Sequence, residues 1–356
     1  MHRIFVINPG STSTELSLFE DEKEVKSARI LHPVEELRKF NRVLEQLPYR
    51  SHIVKSALYE WRLKKGDISA VVGRSGVRTK ESGTYQVNER MINDVTSGKV
   101  MVEHAAILGC LLAKEIADEY GVPAFISQPP PIDWPPIARV SGIPLVERKP
   151  VYHRDNIEAV ARLAAADVRR EKAKASDMVN LIVAHLEGGM SIVAFEGLKA
   201  IDATSAFDEG PFTTERSGSL PGNSLVELCF SGRYTKEQVL KMIRGEGGMV
   251  AYVGTNSINE VENRIENGDE KAEFYLQAMC YQIAKDIGAM ATVLKGNVDA
   301  VILTGKILES RRAIEWIKER VRFIAPVKEY HEQEALVFAL AGLRVLRGED
   351  RTKQYE

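Results

Sequence analysis

The chain has 356 residues, with 48 Lys and Arg against 50 Asp and Glu, a formal net charge of -2 and 44% apolar residues. That length exceeds one ordinary core and predicts two domains of about 150 to 180 residues each. The near-balanced charge excludes an electrostatic footprint for nucleic acid.

The N-terminal apolar run is too short for a signal peptide or a membrane span, so the expectation is a cytoplasmic protein with no membrane partner. Cys110, Cys229 and Cys280 are odd in number, far apart and set in apolar helical patterns. They read as reduced core cysteines. The histidines show no short zinc-ligand spacing.

Residues 4 to 19, IFVINPGSTSTELSLF, place two alternating apolar runs around a polar turn and predict a strand, a turn and a returning strand. Backbone N–H groups freed at Pro9 and Gly10, with the hydroxyls of Ser11, Thr12, Ser13 and Thr14, form either an anion-sized phosphate cradle or a decorated hairpin. Helices are expected over 33–47 and 49–65, with Pro33 at a start and Gly66 at a stop. The strand 68–72 then ends in GRSG. A helix over 103–120 stops at Gly121. The strand VPAFIS runs into a proline-dense segment, 129–136, which excludes regular structure and is the best candidate for a domain crossing. A helix over 155–174 ends in a solvated basic cluster of Arg169, Arg170, Lys172 and Lys174.

The opening pattern then returns as the strand NLIVA, the turn HLEGGM and the strand SIVAF. Gly188 and Gly189 give the backbone freedom of a second anion cradle, and Glu196–Gly197 turns the chain as Glu20–Asp21 does in the first half. Thr235 with Gln238 forms a capping box for a helix to about residue 244. Residues 269–295 read as a long amphipathic helix, and VDAVILTG as a strand ending on a glycine turn. An α/β half opened by a hairpin, and repeated, predicts two similar domains with a cleft between them.

In order along the chain, NPGSTST, GRSG, EHAAILG, HLEGGMSIVAF, PFTTERSGSLP, ILTG and FIAPV closely resemble the butyrate kinases of the acetate kinase family. The resemblance covers nearly the whole chain, LRVLRGED included. It implies two ribonuclease-H-like domains of the actin, Hsp70 and sugar kinase type, with an interdomain nucleotide cleft. The expected boundaries are 1–135 plus about 336–356 for the first domain and 136–335 for the second, nucleotide-binding one. No GxxxxGK[ST] stretch occurs, which argues separately against a P-loop. The implied reaction is reversible phosphoryl transfer between ATP and butyrate or a related short or branched-chain fatty acid, giving an acyl phosphate and ADP, with Mg2+. A homodimer or higher homo-oligomer is implied as well.

A carboxylic acid is already ionised at pH 7, so its attack on ATP needs no base. The demand is for cations and dipoles that let two anions meet. By match to the family, Arg74 and Arg216 contact the carboxylate and the transferring phosphoryl, which suits their forked guanidinium groups. Asn8 matches a residue near the attacking carboxylate and the metal, and His153 one that hydrogen-bonds the phosphoryl. The resemblance assigns Ser11, Thr12, Ser13, His185, Gly188, Gly189 and Gly305 to nucleotide and phosphate. Glu334, preferred by spacing over Glu332, falls at the metal. His104 reads as a packing or capping residue.

Several loops depart from the family pattern. Glu187 stands where glycines are usual, Lys306 follows Gly305 where a glycine is usual, Gln128 replaces an aspartate, and Trp134 follows Asp133 where an acid is usual. FDEGPF is one residue short. These departures favour an alternative of a different class, a catalytically impaired nucleotide-binding or assembly protein on the same fold.

Overall fold

The computed structural model describes residues 1–11, 13–77, 79, 81, 83–99, 104–128, 134–149, 151–173, 178–204, 208–331 and 334–356, with the backbone alone at Val34, Gln128 and Asp155. The chain divides into two compact units, Met1–Pro131 with Gln333–Glu356, and Ile132–Glu332.

In the first unit β1 (Arg3–Pro9), β2 (Ser13–Glu20) and β3 (Lys23–Leu31) form an antiparallel meander. The sheet continues from β1 through the parallel strands β4 (Ala70–Gly73) and β6 (Ala124–Gln128) to antiparallel β5 (Gly83–Gln86), in the order β3-β2-β1-β4-β6-β5. Alternation along β1 divides the core. Phe5 and Ile7 pack with Val54 and Leu58 of the helix Leu47–Glu60 and with Leu112 and Ile116 of the helix Leu108–Tyr120. Ile4 and Val6 face Phe338 and Leu343 of the helix Glu334–Leu346 on the other side.

The second unit repeats the plan. The strands β7 (Leu181–Leu186), β8 (Met190–Glu196) and β9 (Lys199–Ala203) make the meander, and β10 (Ala300–Thr304) and β11 (Val327–Glu329) extend it in parallel, in the order β11-β10-β7-β8-β9. Both meanders break register at the same place, between Leu18 and Phe19 and between Ala194 and Phe195. Leu181 and Val183 face the helix Arg154–Lys172, and Ile182 and Ala184 face the helix Glu270–Val293.

Four expectations are corrected. The stretch 33–47 is not one helix but the turns Val34–Leu37 and Val43–Gln46. The Glu45 carboxylate accepts from the amides of Asn41 and Arg42 (2.8 and 3.4 Å) and starts a new turn there. The next helix is Leu47–Glu60 rather than 49–65, closed by Arg62 at φ 56°. The proline-dense segment yields the short helix Pro136–Arg139, because a proline at the first helical position loses no intrahelical bond; residues 129–133 lie outside the described residues. Finally, Cys110 and Cys280 are buried, but Cys229 ends the helix Gly222–Cys229 and is exposed.

Candidate active site

In each unit the end of the first strand carries a buried polar residue on a face that is apolar up to that point. In β1 the series Ile4, Val6, Asn8 continues the face covered by the helix Glu334–Leu346, so Asn8 emerges at the start of that helix. Its Nδ2 donates to Glu334 Oε2 (2.8 Å) and to Glu15 Oε2 (3.3 Å), the residue opposite it on β2. Arg74 Nη1 donates to Asn8 Oδ1 (3.2 Å), and Arg74 Nη2 lies 3.3 Å from Glu334 Oε1. The fold therefore brings together Asn8, Arg74 and Glu334. Arg74 follows β4, where its amide donates to the Ile7 carbonyl (3.0 Å). A Cβ on Gly109 would fall 2.4 Å from the Arg74 carbonyl oxygen, so GRSG and AILG pack backbone to backbone.

The turn between β1 and β2 is closed from within. The Gly10 amide donates to the Ser13 carbonyl (2.8 Å), so this N–H is spent on the turn and not freed as expected. Ser13 is buried and Ser11 exposed; Thr12 lies outside the described residues. His104 caps the turn Ala105–Ile107, its Nδ1 accepting from the Ala106 amide (3.1 Å). Its Nε2–H then donates to Ser11 Oγ (3.0 Å), so the capping residue also holds the turn. Behind the turn stands Arg50, outside the family motifs: Nη1 donates to the Ser13 carbonyl (2.9 Å) and Thr14 Oγ1 (3.0 Å), and Nη2 to the Ser11 carbonyl (3.3 Å).

In the second unit β7 runs Leu181, Val183, His185 along the face of the helix Arg154–Lys172. His185 Nδ1 accepts from Asn156 Nδ2 (3.0 Å), and its ring stacks tilted on His153 at 4.6 Å between centroids. His153 Nδ1 pairs with Ser191 Oγ (3.0 Å), the residue opposite His185 on β8. Arg216 joins the two histidines through Gly189, where a Cβ would fall 2.8 Å from both Arg216 Nη1 and His153 Cε1. Thr213 ties the loops together: its Oγ1 donates to the Gly188 carbonyl (2.6 Å) and accepts from the Arg216 amide (3.0 Å). Burial lowers the Arg216 guanidinium from its ordinary value, against the opposing Glu215 carboxylate.

Two of the departures in this unit, Glu187 and Lys306, are one feature. Gly305, at φ 94°, lies so close to β7 that a Cβ would sit 2.7 Å from the Leu186 carbonyl oxygen. That approach sets Lys306 beside Glu187, and their charged ends form an ion pair. Glu187 Oε2 also lies 3.7 Å from His185 Nε2. The acid and the lysine neutralise one another. Trp134 is buried in the second unit's core with the Arg148 guanidinium 5.6 Å above its ring, so it is a packing residue. Gln128 ends β6 opposite Gly83, while Asp133 and residues 205–207 lie outside the described residues.

Comparison with known proteins decides the family. A model of the acetokinase family matches residues 160–324. Butyrate kinase 1 of Clostridium acetobutylicum is 42% identical, and a probable butyrate kinase 2 of Caldanaerobacter subterraneus subsp. tengcongensis 44% identical, each over the full length of both chains. The chain belongs to the butyrate kinases of the acetokinase family. By that membership it is an ATP-dependent carboxylate kinase. Acetate kinase from Porphyromonas gingivalis matches in fold, at a TM-score of 0.71 and 17% identity, over 97% of this chain and all of that one. The fold is thus the two-domain type shared with that kinase. Nothing in either cluster supports the catalytically impaired alternative.

The family motifs led to Asn8, Arg74, Glu334, His153, His185, Gly189 and Arg216, but not to Glu15, Asn156, Ser191 or Thr213, which hold them, nor to Arg50, which holds the turn between β1 and β2. Ser191 and Asn156 were reachable in principle, as polar residues in otherwise apolar strand or helix faces. Among the described residues no three His, Cys, Asp or Glu side chains converge as a metal cage, and no helix is long and apolar enough to cross a membrane.

Proposed function

We propose that this carboxylate kinase moves the γ-phosphoryl group of ATP to butyrate or a related short or branched-chain fatty acid, reversibly, and acts in the cytoplasm as a homo-oligomer. The observation that carries the reading is the convergence of Asn8, Arg74 and Glu334 at hydrogen-bonding or ion-pairing distance, in a chain identical to butyrate kinases at 42–44% of positions over its whole length.

The substrate carboxylate arrives ionised, so the barrier is the approach of one anion to another. Arg74 is oriented by Asn8 and Glu334 and holds the carboxylate through its planar fork. In the second unit Arg216, fixed against Gly189 and Thr213, meets charge developing on the transferring phosphoryl, where a desolvated guanidinium acts most strongly. His153 donates to the same group; Ser191 holds its Nδ1. His185 accepts from Asn156 at Nδ1, which leaves its proton on Nε2, toward the phosphate side. Gly188 and Gly189 let backbone approach the polyphosphate, and the Glu187–Lys306 pair keeps that loop from presenting a bare carboxylate.

Glu334 and Glu15 converge on Asn8 with hard oxygen donors, which fits Mg2+ completed by phosphate oxygens and water. When bound, the ion would neutralise phosphate charge.

The reading is tested with purified protein, Mg-ATP, hydroxylamine and a series of acids from acetate to valerate with isobutyrate. Acyl hydroxamate greatest for butyrate or a branched acid is expected. A maximum at acetate would overturn the proposed substrate.

A further inference from the structure

Arg50 is a buried cation that no carboxylate among the described residues balances. Its side chain is fully buried within the first unit. Every hydrogen-bond partner of its guanidinium is neutral: the carbonyls of Ser11 and Ser13, Thr14 Oγ1, and Gln46 Oε1, which accepts from both Nε (3.0 Å) and Nη2 (2.9 Å). Among the described residues no carboxylate pairs with it. Burial draws its pKa down to about 10, which leaves it charged at neutral pH.

The surrounding groups are arranged to preserve that charge. Thr14 Oγ1 accepts from Arg50 and therefore turns its own proton to His32 Nε2 (2.8 Å). His32 Nδ1 pairs with the Tyr49 hydroxyl (3.3 Å). Burial first and the Arg50 charge second push the His32 pKa down to about 4, so the histidine stays neutral. The region thus keeps one positive charge and adds no second one.

A cation buried without a counter-ion is costly, and neutral acceptors alone do not repay its desolvation. A purely structural clamp on two carbonyls has no need of a full charge. Two carbonyl oxygens that would repel an anion are engaged by Arg50 instead, and the positive charge stands directly behind the serine- and threonine-rich turn.

We propose that Arg50 is a positioning residue for phosphate: it clamps the Ser11 and Ser13 carbonyls, and the anion bound at the turn supplies its missing counter-charge. The inference rests on the reading of NPGSTST as the phosphate turn of a carboxylate kinase. Arg50 acts through that turn and through its field.

The test compares Arg50→Met, Arg50→Lys and Gln46→Leu in the full chain. For each, the thermal midpoint is measured alone and with inorganic phosphate or Mg-ADP, and KM and kcat are measured with Mg-ATP and butyrate. Arg50→Met is expected to lose most of the ligand-induced rise in midpoint and to raise KM for ATP tenfold or more, with KM for butyrate changed less than threefold. Arg50→Lys, which keeps the charge, recovers at least half of the ligand-induced rise. Gln46→Leu, which leaves the turn and the charge in place, weakens phosphate binding by a smaller factor and keeps the comparison open should Arg50→Met fail to fold. Full ligand-induced stabilisation in Arg50→Met, or failure of Arg50→Lys to rescue any of it in a folded protein, would overturn the inference. Wild-type protein that binds phosphate through Arg50 yet makes no acyl hydroxamate would sink the kinase reading and leave this inference standing.

Discussion

Glu187 and Lys306 lie 119 positions apart; the acid alone would repel phosphate, and together the two form one ion pair. Replacing Lys306 by Met should expose the acid. The two side chains retain 23% and 32% exposure, so the pair itself contributes about 0.2–1 kcal/mol to folding, as partly solvated pairs do. Its effect on a polyphosphate is larger. A unit charge about 5 Å from phosphate at an effective dielectric constant near 20 amounts to ~3 kcal/mol. Screening by water at this exposure reduces that to roughly 1–2 kcal/mol, or about 5- to 30-fold in affinity. Lys306→Met should therefore raise KM for ATP by about that factor. Glu187→Gln should lower it by less than about fivefold, because the freed ammonium remains flexible and hydrated. The double variant should return to within about threefold of wild type, with KM for butyrate unchanged throughout. Steady-state kinetics at low and high salt measure all four proteins. A double variant as impaired as Lys306→Met would refute the pairing argument, as would an unaltered KM in Lys306→Met.

Other consequences follow from the same geometry. Arg74→Ala should cut kcat by about 10²–10³, the scale of losing one preorganised group at developing charge, with a thermal midpoint within a few degrees of wild type. Gly189→Ala should lower kcat at least tenfold without unfolding the protein, because its Cβ displaces the ends of Arg216 and His153 rather than backbone; unaltered kcat would place Gly189 away from the reacting groups. In the native protein a thiol reagent at pH 8 should modify Cys229 alone, since burial pushes Cys110 and Cys280 up to about 12, where the thiolate is scarce. His32 is drawn down from 6.5 to about 4, so between these values the unfolded chain binds the proton and the folded one does not. Its contribution, at most about 3 kcal/mol, is complete above pH 6.5 and lost as pH falls through 4. The difference between wild type and His32→Gln in denaturant midpoint against pH isolates it from Asp286, whose carboxyl burial raises to about 6 with the opposite sign.

What the sequence made legible was what repeats at short range. Both hairpins, the helix stopped by Gly121, the capping box at Thr235 and the long helix near 270–293 follow from periodicity and turn chemistry, and all are present. β3 has almost all its residues exposed, so no apolar face marks it in the sequence. Cys229 misled because the helix that carries it has an apolar pattern but no buried residue. Arg50 did leave a signal: it shares helical spacing with Val54, Ala57 and Leu58, all buried, which puts a cation on the core face. Its partners on the turn could not be read, since they are the Thr14 hydroxyl and the Ser13 and Ser11 carbonyls, 36 to 39 positions away. The same holds for Glu187 and Lys306, visible singly as anomalies and intelligible only once Gly305 brings β10 against β7.

The central claim is phosphoryl transfer to a carboxylate through Arg74 and Arg216. It is tested most directly by the rate of acyl hydroxamate formation from Mg-ATP, butyrate and hydroxylamine, in wild type and in the Arg74→Ala and Arg216→Ala variants. Butyrate-dependent product from wild type, reduced at least a hundredfold by either substitution in a folded protein, is the predicted result. Equal rates in all three, or no product from wild type above the enzyme-free control, would contradict it.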